Sequence, residues 1–269
     1  MLTDSFRIEQ KDKLIAEDMA DQRLMNQLFL RLVSKKKRFT NVDFKYSIFD
    51  SCYLRNCVFD SCDFTGCRFL GTNMHGSSFT GCKFDYAIFE RTLVDPDLLD
   101  SGCPGPENLR MRFARSLRMN YQQLGDSRSA NKAIRVELHA SEDYLFKSWN
   151  SKESYYRKKY SGGKRAAAFL EWTSFKCLDF VWGNGESPIK LMRSVLLVLV
   201  GIAVLDTVAF RNIEKVGSFL SAASDSPPIF FGAISPPNYP SWALTTILLL
   251  RLVALGLFMS IIIKRLNRR

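Results

Sequence analysis

A bulky apolar residue recurs at every fifth position along one stretch of the chain: Phe39, Phe44, Phe49, Leu54, Phe59, Phe64, Phe69, Met74, Phe79, Phe84 and Phe89. Two residues before each of these, from Phe44 onward, stands a small or β-branched residue: Val42, Ser47, Cys52, Cys57, Cys62, Cys67, Thr72, Ser77, Cys82 and Ala87. A period of five fits neither the 3.6 of a helix nor the 2 of a flat strand. It requires a coil in which each five-residue unit forms one side and then turns a corner, with successive coils stacked to bury a shared core.

The pattern resembles the pentapeptide-repeat family over residues 37–94. That resemblance implies a short right-handed four-sided β-helix whose central residues (Phe44, Phe49, Phe59, Phe64, Phe69, Phe79, Phe84 and Phe89 among them) point into the core with the small residues two before them. Four sides give about twenty residues per coil. Eleven units then make just under three coils, about 13 Å tall at the strand spacing of roughly 4.8 Å. Cys52, Cys57, Cys62, Cys67 and Cys82 share their slot with Val42, Ser47, Thr72, Ser77 and Ala87, where Cys serves as a small hydrophobe. Only residues twenty apart stack, as Cys62 and Cys82 do, so these thiols are expected to build the column rather than bind metal.

The flanks read as helical, giving a mixed fold. Leu24, Leu28 and Leu32 on one line, with Met25, Phe29 and Val33 on the next, predict an amphipathic helix over residues 5–33 of an N-terminal segment 1–38. Such a helix covers an open column end or, at near coiled-coil spacing, self-associates. Residues 95–105, with two prolines and two glycines, read as a linker. Residues 106–160 read as a helical hairpin turning near Gly125 and Asp126, expected to pack on the repeat column or on another subunit.

Net charge is +11, unevenly spread: residues 145–193 hold ten Lys/Arg against four Asp/Glu, whereas Phe39–Glu90 holds four against six. A basic segment (161–188) directly before an apolar run reads as a juxtamembrane anchor, and nucleic acid is not the expected partner. Residues 189–210 and 242–263 are each long and apolar enough to span a bilayer core of roughly 30 Å. Lys190 and Arg193 precede the first; Lys264, Arg265, Arg268 and Arg269 follow the second; the intervening 211–241 carries only Arg211 and Lys215. The positive-inside rule places both termini in the cytosol, as a multi-pass protein of a bacterial inner membrane would have them. The first thirty residues show no signal-peptide h-region, so the N-terminal half is expected to stay in the reducing cytosol.

"FVWGNGESPIKLMR", 180–193, puts Trp182 at the expected interface, as Trp242 is at the second span, with Ser187–Pro188 as helix cap and first helical residue. It resembles the Trp-Gly-Tyr-Gly-Glu-x-Pro stretch of pentapeptide-repeat proteins that carry a two-helix, ion-channel-like domain, with Asn184 in place of Tyr. The C-terminal "LVALGLFMSIIIKRLNRR", with Gly256 at its small-residue position, resembles the inner helix of that domain. The connecting "GSFLSAASDSPPIFFGAISPPNYP" allows a short pore helix from Phe219 but lacks the Gly-Tyr-Gly filter of potassium channels, and prolines at 227, 228, 236 and 237 oppose one. Arg251 lies near the middle of the second span, at an insertion cost of about 3 kcal/mol. A carboxylate, a lumen or backbone carbonyls must offset that cost. Asp206, the one carboxylate in the spans, lies nearer the outer end. Both are candidate pore-lining or intramembrane polar residues.

No residue set matches a catalytic or zinc spacing. His75 and His139 stand apart, and "YSGGKR" at 160–165 lacks a phosphate-loop context. The sequence therefore predicts no enzyme and no cofactor. It predicts a homo-oligomeric channel-like or membrane-permeabilising effector gated by its cytosolic part, four-fold if the channel resemblance holds. The alternative is a membrane-anchored scaffold whose repeats dock a cytosolic protein.

Overall fold

The computed structural model describes residues 7–211 and 216–266, so Lys215, Arg268 and Arg269 lie outside the described residues. The chain divides into two compact units, Met1–Phe169 and Leu170–Arg269.

The first unit is built on the column. Ile8–Lys11, Gln27–Leu30, Ile48–Asp50, Arg68–Leu70 and Ile88–Glu90 stack as a five-stranded parallel sheet. Met19–Ala20, Arg38–Thr40, Val58–Asp60 and Ser78–Thr80 form a second ladder. Val33–Lys35 pairs with Tyr53–Arg55 on a third side, and the bridges Arg23–Asp43–Asp63–Lys83 mark a fourth. Partners along most ladders are twenty residues apart, as in Phe49 with Phe69 and Phe59 with Phe79. From Phe39 to Phe89 every unit turns its corner through one left-handed residue two after its centre: Asn41, Tyr46, Ser51, Asn56, Ser61, Gly66, and so on to Arg91. The central phenylalanines stack in three rows. Phe29, Phe49, Phe69 and Phe89 are spaced 4.8, 5.0 and 4.9 Å, Phe39, Phe59 and Phe79 4.8 and 5.1 Å, and Phe44, Phe64 and Phe84 5.2 and 5.0 Å.

The N-terminal helix expected over residues 5–33 is replaced by further coils of the same column, beginning at Ile8. Two irregularities hide them in the sequence. Around position 34 the sizes are exchanged, with Leu32 in the small slot and Ser34 in the central one, both buried. The first coil is also one residue short, since Ile8 pairs with Gln27 and Leu14 with Val33, nineteen apart. Five stacked strands make the column about 19 Å tall, rather than 13 Å.

Helices follow: α1 Leu98–Ser101, α2 Glu107–Gln123, α3 Ser127–Asn150, α4 Ser154–Lys159 and α5 Gly163–Trp182, the last running across the unit boundary. α1 lies inside the expected linker and buries Leu98 and Leu99. α5 replaces the expected linker over 161–188. α2 closes the C-terminal end of the column, as the hairpin expectation allowed. Phe113 packs on Phe84 and Phe89 at 5.7 and 6.0 Å. Ser116, Asn120 and Gln123, along one helical face, accept the backbone N–H groups of Phe89, Thr92 and Arg91, and the Asn120 amide donates to the Thr92 carbonyl at 2.8 Å. These side chains replace the missing next coil. α3 starts at Asp126, whose carboxylate accepts from the Ser129 N–H, and packs on α2 through Ala130 and Ala133 in the same core as Leu117 and Tyr121.

The second unit holds α6 Pro188–Phe210, α7 Val216–Phe231 and α8 Ser241–Leu266. Ser187 caps α6 by accepting from the Lys190 N–H at 3.3 Å, with Pro188 at the first turn, as expected. The expected loop 211–241 contains α7, longer than the pore helix read from Phe219.

Candidate functional site

The small-residue slot of the column is a hydrogen-bonding position as well as a steric one. The thiol of Cys52 donates to the carbonyl of Phe29 (3.2 Å), that of Cys62 to Phe39 (3.4 Å), Cys67 to Phe44 (2.9 Å) and Cys82 to Phe59 (3.5 Å), each twenty-three residues earlier. Cys57 reaches the Ser34 carbonyl in the same way. Thr72, Ser77 and Thr92 repeat this with hydroxyls at 2.7–3.0 Å. The hydroxyls of Thr72 and Ser77 also accept the N–H groups of Cys52 and Cys57. Burial pushes the Cys52 thiol up to about 11 and that of Cys67 up to about 12, so both stay protonated and poorly nucleophilic.

In the second unit, α6 and α8 run antiparallel, as Lys264 near the end of α8 bonds Glu186 just before α6 (3.0 Å). The anchors named from the sequence gather at that end. Lys190 pairs with Asp179 at 2.7 Å, Arg193 bonds the Phe180 carbonyl and stacks over its ring, and Arg265 is exposed. Trp182 is half-buried, whereas Trp242, at the start of α8, is 66% exposed.

Arg251 and Asp206 do not meet. Each instead fastens α7 to a neighbour. Asp206, 5% exposed, pairs with Arg211 at 2.6 Å, and Arg211 also binds Asp225 of α7 at 2.6 Å and the Ser221 hydroxyl. Burial, then the Asp206 carboxylate, pushes the neighbouring Tyr239 hydroxyl up to about 12. On the other side Arg251 of α8 donates from Nε to the Phe230 carbonyl at 2.7 Å. Its guanidinium lies against Gly232, where any Cβ would strike it and where φ is +79°. A helix C-terminus exposes unpaired carbonyls and a partial negative charge, so Arg251 is bound where a cation is stabilised. Of the three compensations the sequence left open, the structure supplies a backbone carbonyl, that of Phe230.

α7 tolerates Pro227 and Pro228 because the Ser226 hydroxyl takes over the Ala223 carbonyl that Pro227 cannot bond. Its end packs as one apolar cluster: Ile229 and Phe230 with Ile202 of α6 and Ala243 and Ile247 of α8. Sequence reasoning missed the Arg211 junction, counting Arg211 only as loop charge, and missed the helix-ending role of Gly232. The signal for the latter was present, a glycine directly after the apolar "IFF".

Residues 38–76 and 57–93 match the profile of the pentapeptide-repeat family in eight copies. No curated protein matches the sequence. Among solved structures, a pentapeptide repeat protein (Rfr23) from the cyanobacterium Cyanothece 51142 is 14% identical over 29% of this chain and 53% of its own, with a TM-score of 0.28. QnrB1, described as a plasmid-mediated fluoroquinolone resistance protein, is 16% identical over 32% of this chain and 62% of its own, with a TM-score of 0.19. The chain thus spans less than two thirds of either, and the matches cover less than a third of this chain.

Proposed function

We propose that this chain, whose pentapeptide-repeat segment is followed by two long apolar helices, is an integral membrane protein of channel-like type, assembled as a homo-oligomer. The observation that carries the reading is the pairing of two exposed apolar helices with a third helix clasped between them. In the most apolar 18-residue window of α6 and of α8, only 28% and 11% is buried. Helices so apolar and so uncovered match a hydrocarbon solvent better than water.

A tether needs only the two spans. Here α7 enters from the side opposite Lys264 and brings its carbonyl end to Arg251, ten residues after Ser241. That is about 15 Å along α8, near half of a bilayer core. Non-helical backbone at that depth is tolerated only against protein or a water-filled path, which supports a channel-like domain over a plain anchor. Arg251 also neutralises the α7 carbonyl end, so no open negative helix terminus faces a permeating cation. This favours anions or unselective passage over a potassium filter. Two spans cannot enclose a pore alone, hence the oligomer. Clustered Lys190, Arg193, Lys264 and Arg265 orient both ends of the pair toward the cytosol, leaving the repeat column as the sensing part.

The test is flux of chloride and of potassium from vesicles holding the purified protein, alongside its native mass. Flux from an oligomer, altered in Arg251→Leu, is the expected result. A correctly inserted protein giving no flux of either ion would leave the membrane-anchored scaffold instead.

A further inference from the structure

α5 buries one face and leaves a second, apolar arc open. At about 100° per residue, Leu170, Cys177, Leu178 and Phe180 share one broad arc of the helix, while Arg165, Ala168, Trp172, Phe175 and Asp179 share the opposite one. A helix on a water-soluble protein turns its apolar arc inward. In α5 the apolar arc is the open one: Leu170 is 66% exposed, Leu178 47%, Phe180 53%, and Cys177 is exposed as well. The opposite arc is the engaged one, with Ala168 buried, Trp172 and Phe175 half-buried and Asp179 holding Lys190 at 2.7 Å.

The end of α5 is fixed at the point where α6 begins. The Ser194 hydroxyl donates to the Val181 carbonyl at 2.8 Å, Lys190 binds Asp179, and Arg193 lies over the Phe180 ring at 4.3 Å while bonding its carbonyl. Three consecutive left-handed residues, Gly183, Asn184 and Gly185, make the turn between the helices. Lys164 and Arg165 open α5 and Trp182 closes it.

We infer that α5 is an interfacial helix that lays its apolar arc into the headgroup and acyl boundary of the leaflet where α6 enters, with basic residues suited to anionic lipid. The inference rests on the reading of α6 and α8 as membrane spans. The occupant is lipid because α5 ends one tight turn before the start of a span, Phe180 on the arc lies under Arg193 of α6 as a cation reaching toward headgroups, and the helix itself ends in an interface-type Trp.

Cys177 lies on this arc and is the one exposed cysteine of the seven, so it reports on the arc directly. The full chain is labelled there with an environment-sensitive fluorophore and reconstituted in vesicles of phosphatidylethanolamine and phosphatidylglycerol. Cys177→Ser measures background labelling. Blue-shifted emission, quenched by lipids brominated high on their acyl chains and shielded from aqueous iodide, is the expected result, with Leu178→Glu shifting the probe toward iodide. Quenching by iodide overturns the inference, as does blue-shifted emission that brominated lipids leave untouched, which would place another copy of the chain on the arc. Leu252→Cys in the Cys177→Ser background reports on α8 separately, Leu252 being 54% exposed. If deep-brominated lipid quenches Leu252→Cys but lipid leaves Cys177 unquenched, the spans stand and the interfacial helix falls. If neither is quenched, both readings fall.

Discussion

Thr72 shows how much one side chain carries in a column of this kind. Its hydroxyl donates to the Phe49 carbonyl and accepts the Cys52 N–H, tying successive coils across the buried interior. Thr72→Val keeps the shape and removes both bonds, leaving a buried N–H unpaired. We expect a loss of about 1–3 kcal/mol in thermal or denaturant unfolding. Cys52 and Cys67, buried and held protonated, should resist maleimide in the folded protein and react only on unfolding, while Cys177 labels first; mass spectrometry of timed samples reads this directly. At Gly232 the backbone is left-handed and the Arg251 guanidinium occupies the space of a side chain. Gly232→Ala should displace Arg251 and free the end of α7, seen as faster labelling of a cysteine placed at Ile229.

At the scale of elements, α2 is the end-cap of the column, and Asn120 is its central contact through paired bonds to Thr92. An uncapped sheet edge exposes a row of unpaired N–H and C=O groups, a template for association. Asn120→Ala is expected to cost about 2 kcal/mol and to promote aggregation on mild heating, followed by light scattering. Unchanged melting would mean that the Phe113 packing alone holds the cap. The opposite end of the column shows why the first coils escaped detection. Leu24, Leu28 and Leu32 fall at helical spacing by coincidence, while the exchanged Leu32–Ser34 pair interrupts the pattern of sizes there and the one-residue deletion, between Leu14 and Met19, cuts off the coil before it. Backbone pairing overrides that local pattern once the neighbouring coil exists to pair with.

For the whole molecule, acid should loosen the helical module. Burial alone would raise Glu107, but hydrogen bonds from Lys147, its own N–H and Tyr156 outweigh it and hold the carboxyl below its usual value. Asp126 is likewise held low despite burial by its bonds to Ser129 and Arg128. A depressed folded value means stability that is fully present above the unfolded value of about 4 and lost as pH falls through the folded one. The melting temperature of the reconstituted protein should therefore drop as pH falls below about 4, and Glu107→Gln with Asp126→Asn should flatten that slope. A slope unchanged by both substitutions would assign the acid sensitivity elsewhere.

The sequence by itself determined the column, since a strict period of five has no other way to bury its phenylalanines. It also determined the two long apolar helices, the Ser187–Pro188 start of α6 and the role of the cysteines as packing residues. These are properties of spacing and composition, which the chain carries locally. Only the tertiary structure decided where α2 docks, how far the column extends toward the N-terminus, and what Arg251 and Asp206 do. A charge in an apolar helix states only that a partner must exist. Which partner it finds depends on where a separate helix ends in space: Arg251 meets the carbonyls closing α7, and Asp206 meets Arg211, because α7 folds back between α6 and α8. No period in the sequence records that return.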